Sequence, residues 1–228
     1  MAATESGTGV LKLGSPAIRT AHRTVTDRLR QAIVTGELPA GTRLIQADLA
    51  QSLEVSVTPV REALRDLAGE ALVDFDAFRG AVVHPATVEE LDEVYELRQI
   101  LVPIAIRASV ERISDVDIER AAQLAAAMKA EKDPAEWVHL NREFHCLLDE
   151  AAGRPKLQEI LGRLADLSAL YVGVAVSGQK TRRQRADRDH SAIVAAYKQR
   201  DAERVIEISM RHLEDTLGAA RRQLAERT

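Results

Sequence analysis

The sequence predicts a mostly α-helical chain in two parts, and three observations carry the prediction. Between Val25 and Pro85, three short helical patterns are followed by one alternating strand pair. From Thr87 onward strand signals disappear, and apolar residues recur at three- and four-residue spacing through about six segments joined by short breaks. With 46% hydrophobic residues in 228, the chain can bury a sizeable core. The expected architecture is an N-terminal winged helix-turn-helix over residues 16–86 followed by an antiparallel six-helix bundle over residues 87–228.

The first fifteen residues, MAATESGTGVLKLGS, are small and polar, without the basic start and apolar run of a signal peptide, and read as a flexible tail. Val25, Leu29 and Ile33 mark an amphipathic helix ending near Gly36, and ELPAGTRL reads as a turn punctuated by Pro39 and Gly41. A short helix from about Gln46 to Leu53 turns Leu49 and Leu53 inward. After a tight break at Glu54-Val55, SVTPVREALRDLAGEAL opens on Ser56 or Thr58 as N-cap, with Pro59 in the first turn, where its missing N–H costs little. Val60, Leu64 and Leu67 form its buried stripe, leaving Thr58, Arg61 and Arg65 on another face. Two helices, a tight turn and an arginine-bearing second helix make a helix-turn-helix, whose second helix enters the major groove of double-stranded DNA. LVDFDAFRGAVV then reads as a hairpin, with Val73 and Phe75 inward and Arg79 at a tip that reaches phosphates or a minor groove. A solvated helical domain with scattered salt bridges is the bland alternative, and the order helix, helix, turn, helix, hairpin argues against it. Net charge of −4 and 3% aromatic residues exclude bulk-charge phosphate binding and a base-stacking platform, so any DNA contact must come from locally presented arginines.

In the bundle, Thr87-x-x-Glu90 is a capping box opening a helix to about Val110, which Pro103 should kink. Ile118, Ala121, Ala122, Ala125 and Met128 line the next helix. Asp133-Pro134 starts a third that stops at Gly153. Leu157, Ile160, Leu161, Leu164, Leu167 and Leu170 give the fourth its apolar face. His190, Ile193, Val194 and Tyr197 mark the fifth. Asp201 caps the sixth, which carries Val205, Ile208, His212 and Leu213. No stretch is long and apolar enough to span a membrane, and the single cysteine, Cys146, suits a reducing cytoplasm and reads as a small core residue.

The third bundle helix contains LNREFH, superficially like a metallohydrolase helix in which a glutamate lies between two zinc ligands. Asn141 and His145, four apart, share a face; Glu143, two from each, does not. His145, His190 and His212 each fall on the inward face of a different helix. Burying three imidazoles is costly unless they are hydrogen-bonded or coordinate something. With Asn141 they form a nitrogen and oxygen set suited to zinc, nickel or manganese with positions left open. Of the remaining histidines, His22 and His84 read as solvent- or backbone-bonded, and His139, six positions before His145, lies on a different face and does not share a ligand with it. Neutral donors leave a bound divalent ion its full charge, so the open positions favour an anion, and a small carboxylate fits. Arg98 offers that carboxylate a guanidinium fork, or else makes an ordinary helix salt bridge with Glu93 or Glu96. Glu143 would contact a hydroxyl or amine of the ligand, or else is a surface charge.

The run GELPAGTRLIQADLAQSLEVSVTPVREALRDLAGEALV, followed by RGAVV, resembles the winged helix of GntR-type bacterial transcription regulators. The resemblance implies DNA contacts from Ser56, Thr58 and Arg61 at the recognition helix and from Arg79 and Gly80 at the wing. Val57 departs from it, since many relatives carry arginine there and a valine bonds neither phosphate nor guanine. The C-terminal half resembles the FCD ligand domain of the FadR-type branch, whose metal is held by an acid or amide, a histidine four later, and two histidines on later helices. Asn141, His145, His190 and His212 match that pattern, with asparagine where aspartate is common. Six helices instead of seven match the VanR-like subgroup. What the resemblance implies is a cytoplasmic homodimer that binds a pseudo-palindromic operator, usually as a repressor, and responds to a small carboxylate beside the metal. Two other functions are compatible with the residues: a regulator for which the metal itself is the signal, and a metal-dependent enzyme on the bundle. The enzyme requires a base near the metal, and no carboxylate is expected on the Asn141/His145 face.

Overall fold

The computed structural model describes residues 16–76, 80–85, 87–176 and 180–225. The expected tail over residues 1–15 and the wing-tip Arg79 lie outside them. In chain order the elements are α1 (Pro16–Val34), β1 (Arg43–Leu44), α2 (Gln46–Ser52), α3 (Val57–Gly69), β2 (Val73–Asp76), β3 (Gly80–Val83), α4 (Val88–Arg112), α5 (Asp115–Ala130), α6 (Pro134–Glu150), α7 (Pro155–Val176), α8 (Lys180–Lys198) and α9 (Ala202–Ala225).

The first third is the expected winged helix-turn-helix, with differences of detail. α1 starts nine residues before Val25, because only its second half carries the apolar repeat that marks it in sequence. The chain crosses from α2 to α3 through Glu54, whose φ of 53° makes the tight break. Ser56 is the N-cap of α3, but its hydroxyl makes no capping bond. The stripe of Val60, Leu64 and Leu67 is completely buried. ELPAGTRL is more than a turn: Arg43 and Leu44 form β1, paired antiparallel to Val82 and Ala81, so the wing is a three-stranded sheet of order β1-β3-β2. Phe75 does not point into the core as the alternation suggested. Val73 is buried, but Phe75 is 53% exposed, because β2 runs past the edge of the helical core toward the wing tip.

The six bundle helices occupy the expected segments, and the starts of α4, α5, α6 and α9 are fixed by side-chain caps. Thr87 accepts from the Glu90 N–H, Ser114 from Asp117, Asp133 from Ala135 and Asp201 from Arg204. Pro103 falls inside α4 without ending it. Helix α4 packs on α9 and α7, α5 on α6 and α8, and α8 on α9. Ile160, expected on the apolar face of α7, is 48% exposed, whereas Leu161 and Leu164 are buried.

The two parts share a core. Val25, Leu29 and Ile33 of α1 and the α3 stripe belong to one buried cluster with Leu91, Val94 and Tyr95 of α4, Leu170 and Tyr171 of α7 and Leu213 of α9. Two polar contacts reinforce this junction. Arg30 of α1 grips Glu70, just beyond α3, through two bonds of 2.9 and 2.7 Å, and lies 4.0 Å from Asp166 of α7, which Arg142 of α6 also bonds. His84, just after β3, bridges the wing to the bundle: Nδ1 lies 2.9 Å from Asp74 of β2 and Nε2 lies 2.8 Å from Glu90 of α4. Glu90 also accepts from the Tyr171 hydroxyl. His84 is therefore paired with side chains, where sequence suggested solvent or backbone.

Both ring nitrogens of His84 face carboxylates, which suits the imidazolium, a donor at both positions. Burial disfavours the charge, but the bonds to Asp74 and Glu90 outweigh it, and the pKa is raised above 6.5. A raised folded pKa contributes stability that is fully present below the unfolded value and is lost as pH rises through the folded one. His84→Ala is expected to cost about 1 kcal/mol near pH 6, since Asp74 is half-exposed and screened. In thermal melts that is about 2–4 °C, shrinking toward zero at pH 9. A deficit independent of pH would remove the charged latch.

Candidate metal and anion site

The centre is assembled by three helices. On α6, Asn141 and His145 stand one turn apart, and Trp137, one turn earlier, donates its indole N–H to Asp187 of α8 at 3.0 Å. That bond fixes the register of α6 on α8 three residues before His190. Helix α9, starting from the Asp201 cap, brings His212 to the same place through the buried stripe of Val205 and Ile208.

The structure brings together the three histidines that sequence placed on separate helices. One ring nitrogen from each of His145, His190 and His212 lies within 4.8 Å of the others. The rings stand 4.8–5.5 Å apart between centroids, and His190 also packs against Phe144 at 4.9 Å. Asn141 and Arg98 line the cavity beside them with His145 and His212. The orphaned atoms test whether a metal suits this set. Asn141 Oδ1 and both nitrogens of His190 are buried without a hydrogen-bond partner among the described residues. Such groups cost about 1–3 kcal/mol each when unsatisfied, and the amide oxygen and one nitrogen of each neutral imidazole offer lone pairs of the kind that bind a divalent cation. Burial, with the neighbouring rings, pushes the pKa of His145 and His190 well below 6.5, Arg98 adding to the effect on His145 and Arg182 to that on His190. His212 is also lowered by burial, despite Asp189. At neutral pH all three are unprotonated, which is the ligating form.

Four residues of the site were not singled out in sequence. Asp189, buried, lies 3.5 Å from His212 Nδ1 and accepts from Arg211 at 2.9 Å. That is the position of a carboxylate that orients a ligating imidazole through its other nitrogen. Asp149, one turn beyond His145, corrects the expectation that no carboxylate shares this face. It lines the second cavity with Arg98, His145 and His212, and burial pushes its pKa up to about 7 against the pull of Arg98. Its spacing of i+4 from His145 was available in the sequence. Tyr95 of α4 and Arg182 of α8 complete the first cavity. The two cavities are small, about 30 and 20 Å³, with room for a few water-sized groups.

Arg98 is buried, makes no ion pair with Glu93 or Glu96, and lies with its guanidinium 5.5 Å from the Tyr95 ring centre. Glu143 is not brought to the site. It pairs with Arg120 of α5 at 2.9 Å on the outer surface, as its position two residues from each ligand dictates. Cys146 faces away as well, lining the junction cavity with Arg142, and burial pushes its thiol up to about 11.

On the DNA-binding side, Ser56, Thr58, Arg61 and Arg65 are exposed along α3, and Val57 is exposed among them. Neither Arg61 nor Arg65 is held in an ion pair among the described residues. Gly80 opens β3 with φ of 76°, a left-handed conformation that favours glycine.

A winged helix-turn-helix joined to a helical bundle with a buried polar centre defines a ligand-responsive DNA-binding regulator. Comparison with known proteins agrees. Residues 21–83 match the model for bacterial regulatory proteins of the gntR family, and residues 93–215 match the FCD domain. The uncharacterized HTH-type transcriptional regulator BphR of Paraburkholderia xenovorans is 30% identical over 216 residues, covering 90% of this chain and 86% of that protein. The gluconate operon transcriptional repressor of Bacillus licheniformis is 23% identical, covering 85% and 82%. In fold, the chain is similar to Escherichia coli McbR/YncC, with a TM-score of 0.82 at 22% identity over 89% of this chain and 98% of that one. The chain belongs to the gntR family, with an FCD domain. It is a transcription regulator and not an enzyme. Among the described residues no helix is long and apolar enough to cross a membrane.

If the imidazoles hold a divalent ion, His190→Ala should strip most of the metal retained after dialysis, measured by elemental analysis. Asp189→Asn should keep the metal but weaken it about ten- to a hundredfold. Full retention by His190→Ala would remove the site.

Proposed function

We propose that the protein is a cytoplasmic, homodimeric repressor that binds a pseudo-palindromic operator and releases it when a small carboxylate enters the cavity beside a zinc, nickel or manganese ion. The observation that carries this reading is the buried Arg98 guanidinium, without a carboxylate partner in an ion pair, lining the same cavities as the three clustered imidazoles. The ion would be held by Asn141, His145, His190 and His212, and would supply Lewis acidity to one carboxylate oxygen. Arg98 orients the carboxylate through its planar fork. A metal-only signal would leave Arg98 only the buried carboxyl of Asp149 as a counter-charge, with no ion pair between them.

The dimer is supported by apolar side chains left in solvent: Leu97, Ile100 and Ile104 at helical spacing on α4, and Ile160 on α7, the helix packed against it. The repressor sense is supported by the name of the Bacillus licheniformis relative, which describes a repressor. DNA contact is assigned to Ser56, Thr58, Arg61, Arg65, Arg79 and Gly80. The operator step read by Val57 carries an apolar contact.

The small cavities suggest the switch. A multi-carbon acid fits only if the helices part, so it favours an arrangement other than the one described, which is what an effector must do to move an equilibrium. Arg142 follows Asn141 on α6 and bonds Asp166, beside the Arg30 that grips Glu70 at the end of the recognition helix. Displacing α6 strains this chain of ion pairs and re-aims α3.

The test is fluorescence anisotropy on an operator selected from randomised duplexes, with metal-loaded protein and a panel of small carboxylates. Arg61→Ala should weaken DNA binding at least about tenfold while the dimer persists. Arg98→Ala should bind DNA normally but require about tenfold or more carboxylate for release. Unchanged DNA affinity in Arg61→Ala, or no response to any carboxylate, would overturn the reading.

A further inference from the structure

A second buried cation lines the cavity beside the imidazoles. Arg182 of α8 is only 9% exposed, and its Nε and Nη1 have no hydrogen-bond partner among the described residues. Its remaining nitrogen, Nη2, donates to the Thr216 hydroxyl of α9. Asp215 and Asp189 attract its charge, but they make their ion pairs with Arg185 at 2.8 Å and Arg211 at 2.9 Å, and no ion pair joins either to Arg182 among the described residues. The Tyr95 hydroxyl is likewise buried and without a partner. Both groups line the cavity that also holds Arg98, Asn141, His145 and His212.

An unpaired buried guanidinium is among the most unfavourable arrangements a core can carry, and it persists where an anion completes it. Arg182 is anchored to Thr216, one turn beyond His212 on α9, and so adds a second guanidinium to the cavity that Arg98 lines. One anionic group held by Arg98 does not also balance the charge of a second guanidinium. Two groups separated by a short carbon chain do.

We infer that Arg182 and Tyr95 form a second anion subsite, and that the effector is a short dicarboxylate whose distal carboxylate they bind. The inference rests on the carboxylate-sensing reading above and narrows it. A single compact dianion such as phosphate would engage one of the two anchors and leave the other unpaired.

The test is calorimetric titration of metal-loaded, full-length protein with succinate and glutarate, with butyrate as the matched monocarboxylate, and with inorganic phosphate. Wild-type protein should bind succinate or glutarate at least about tenfold tighter than butyrate. Arg182→Gln should abolish that preference while butyrate affinity and metal content stay within about threefold of wild type. Tyr95→Phe should reduce the preference in part, and it serves where Arg182→Gln does not fold. Butyrate binding as tightly as the dicarboxylates, phosphate binding tightest, or a preference that survives Arg182→Gln would each overturn the subsite. The first of these outcomes would leave carboxylate sensing standing. Failure of every carboxylate to bind would remove both readings.

Discussion

The bundle depends on one constraint: three imidazoles and an amide oxygen share a small interior volume, and most of their polar atoms have no protein partner. A core built for stability alone would place leucine or phenylalanine at these positions, because burying polar groups unsatisfied costs more than apolar packing returns. The surrounding residues hold the arrangement in place. Trp137 bolts α6 to α8 through Asp187, the Asp189 carboxylate lies 3.5 Å from His212, and Phe144 packs against His190. The rings are kept neutral and close, the state in which they are most useful as donors to a cation and least useful as ordinary surface histidines.

The same helices that make the centre also touch the DNA-binding part. Helix α6 carries Asn141 and His145 toward the interior and Arg142 toward the junction, where it meets Asp166 and, beyond it, Arg30 and Glu70. Asp149 lines both the cavity beside the imidazoles and the larger cavity at the junction. A continuous hydrophobic cluster from Val25 to Leu224 and the His84 bridge bind the two parts together. A change in helix spacing at the centre therefore meets packed side chains and paired charges all the way to α3, with little slack to absorb it.

How far the sequence was legible depended on whether a residue's neighbours were local. The α3 stripe, the caps at Thr87, Asp133 and Asp201, and the inward histidines all follow from spacing within one helix, and each is where local pattern puts it. Features set by the edges of elements were not readable. β1 has two residues and exists through pairing with β3, and Phe75 keeps the alternation of its strand but lies beyond the core. Within the site, Asp149 stood in plain view four residues after His145 and was passed over. Arg182 and Asp189 were hidden for a different reason. They belong to KTRRQRADRDH, a stretch so rich in charge that it reads as a solvated face, and only the packing of α8 on α9 buries two of those charges. Charge density in sequence does not say which of several arginines will be enclosed.

The most direct measurement is a crystal structure of the zinc-loaded protein with anomalous scattering recorded at the zinc edge. The account predicts one strong peak per chain, with nitrogen atoms of His145, His190 and His212 at about 2.0–2.1 Å and Asn141 Oδ1 turned toward it. Well-diffracting crystals of zinc-saturated protein with no anomalous peak among these residues, or with zinc held elsewhere, would contradict it.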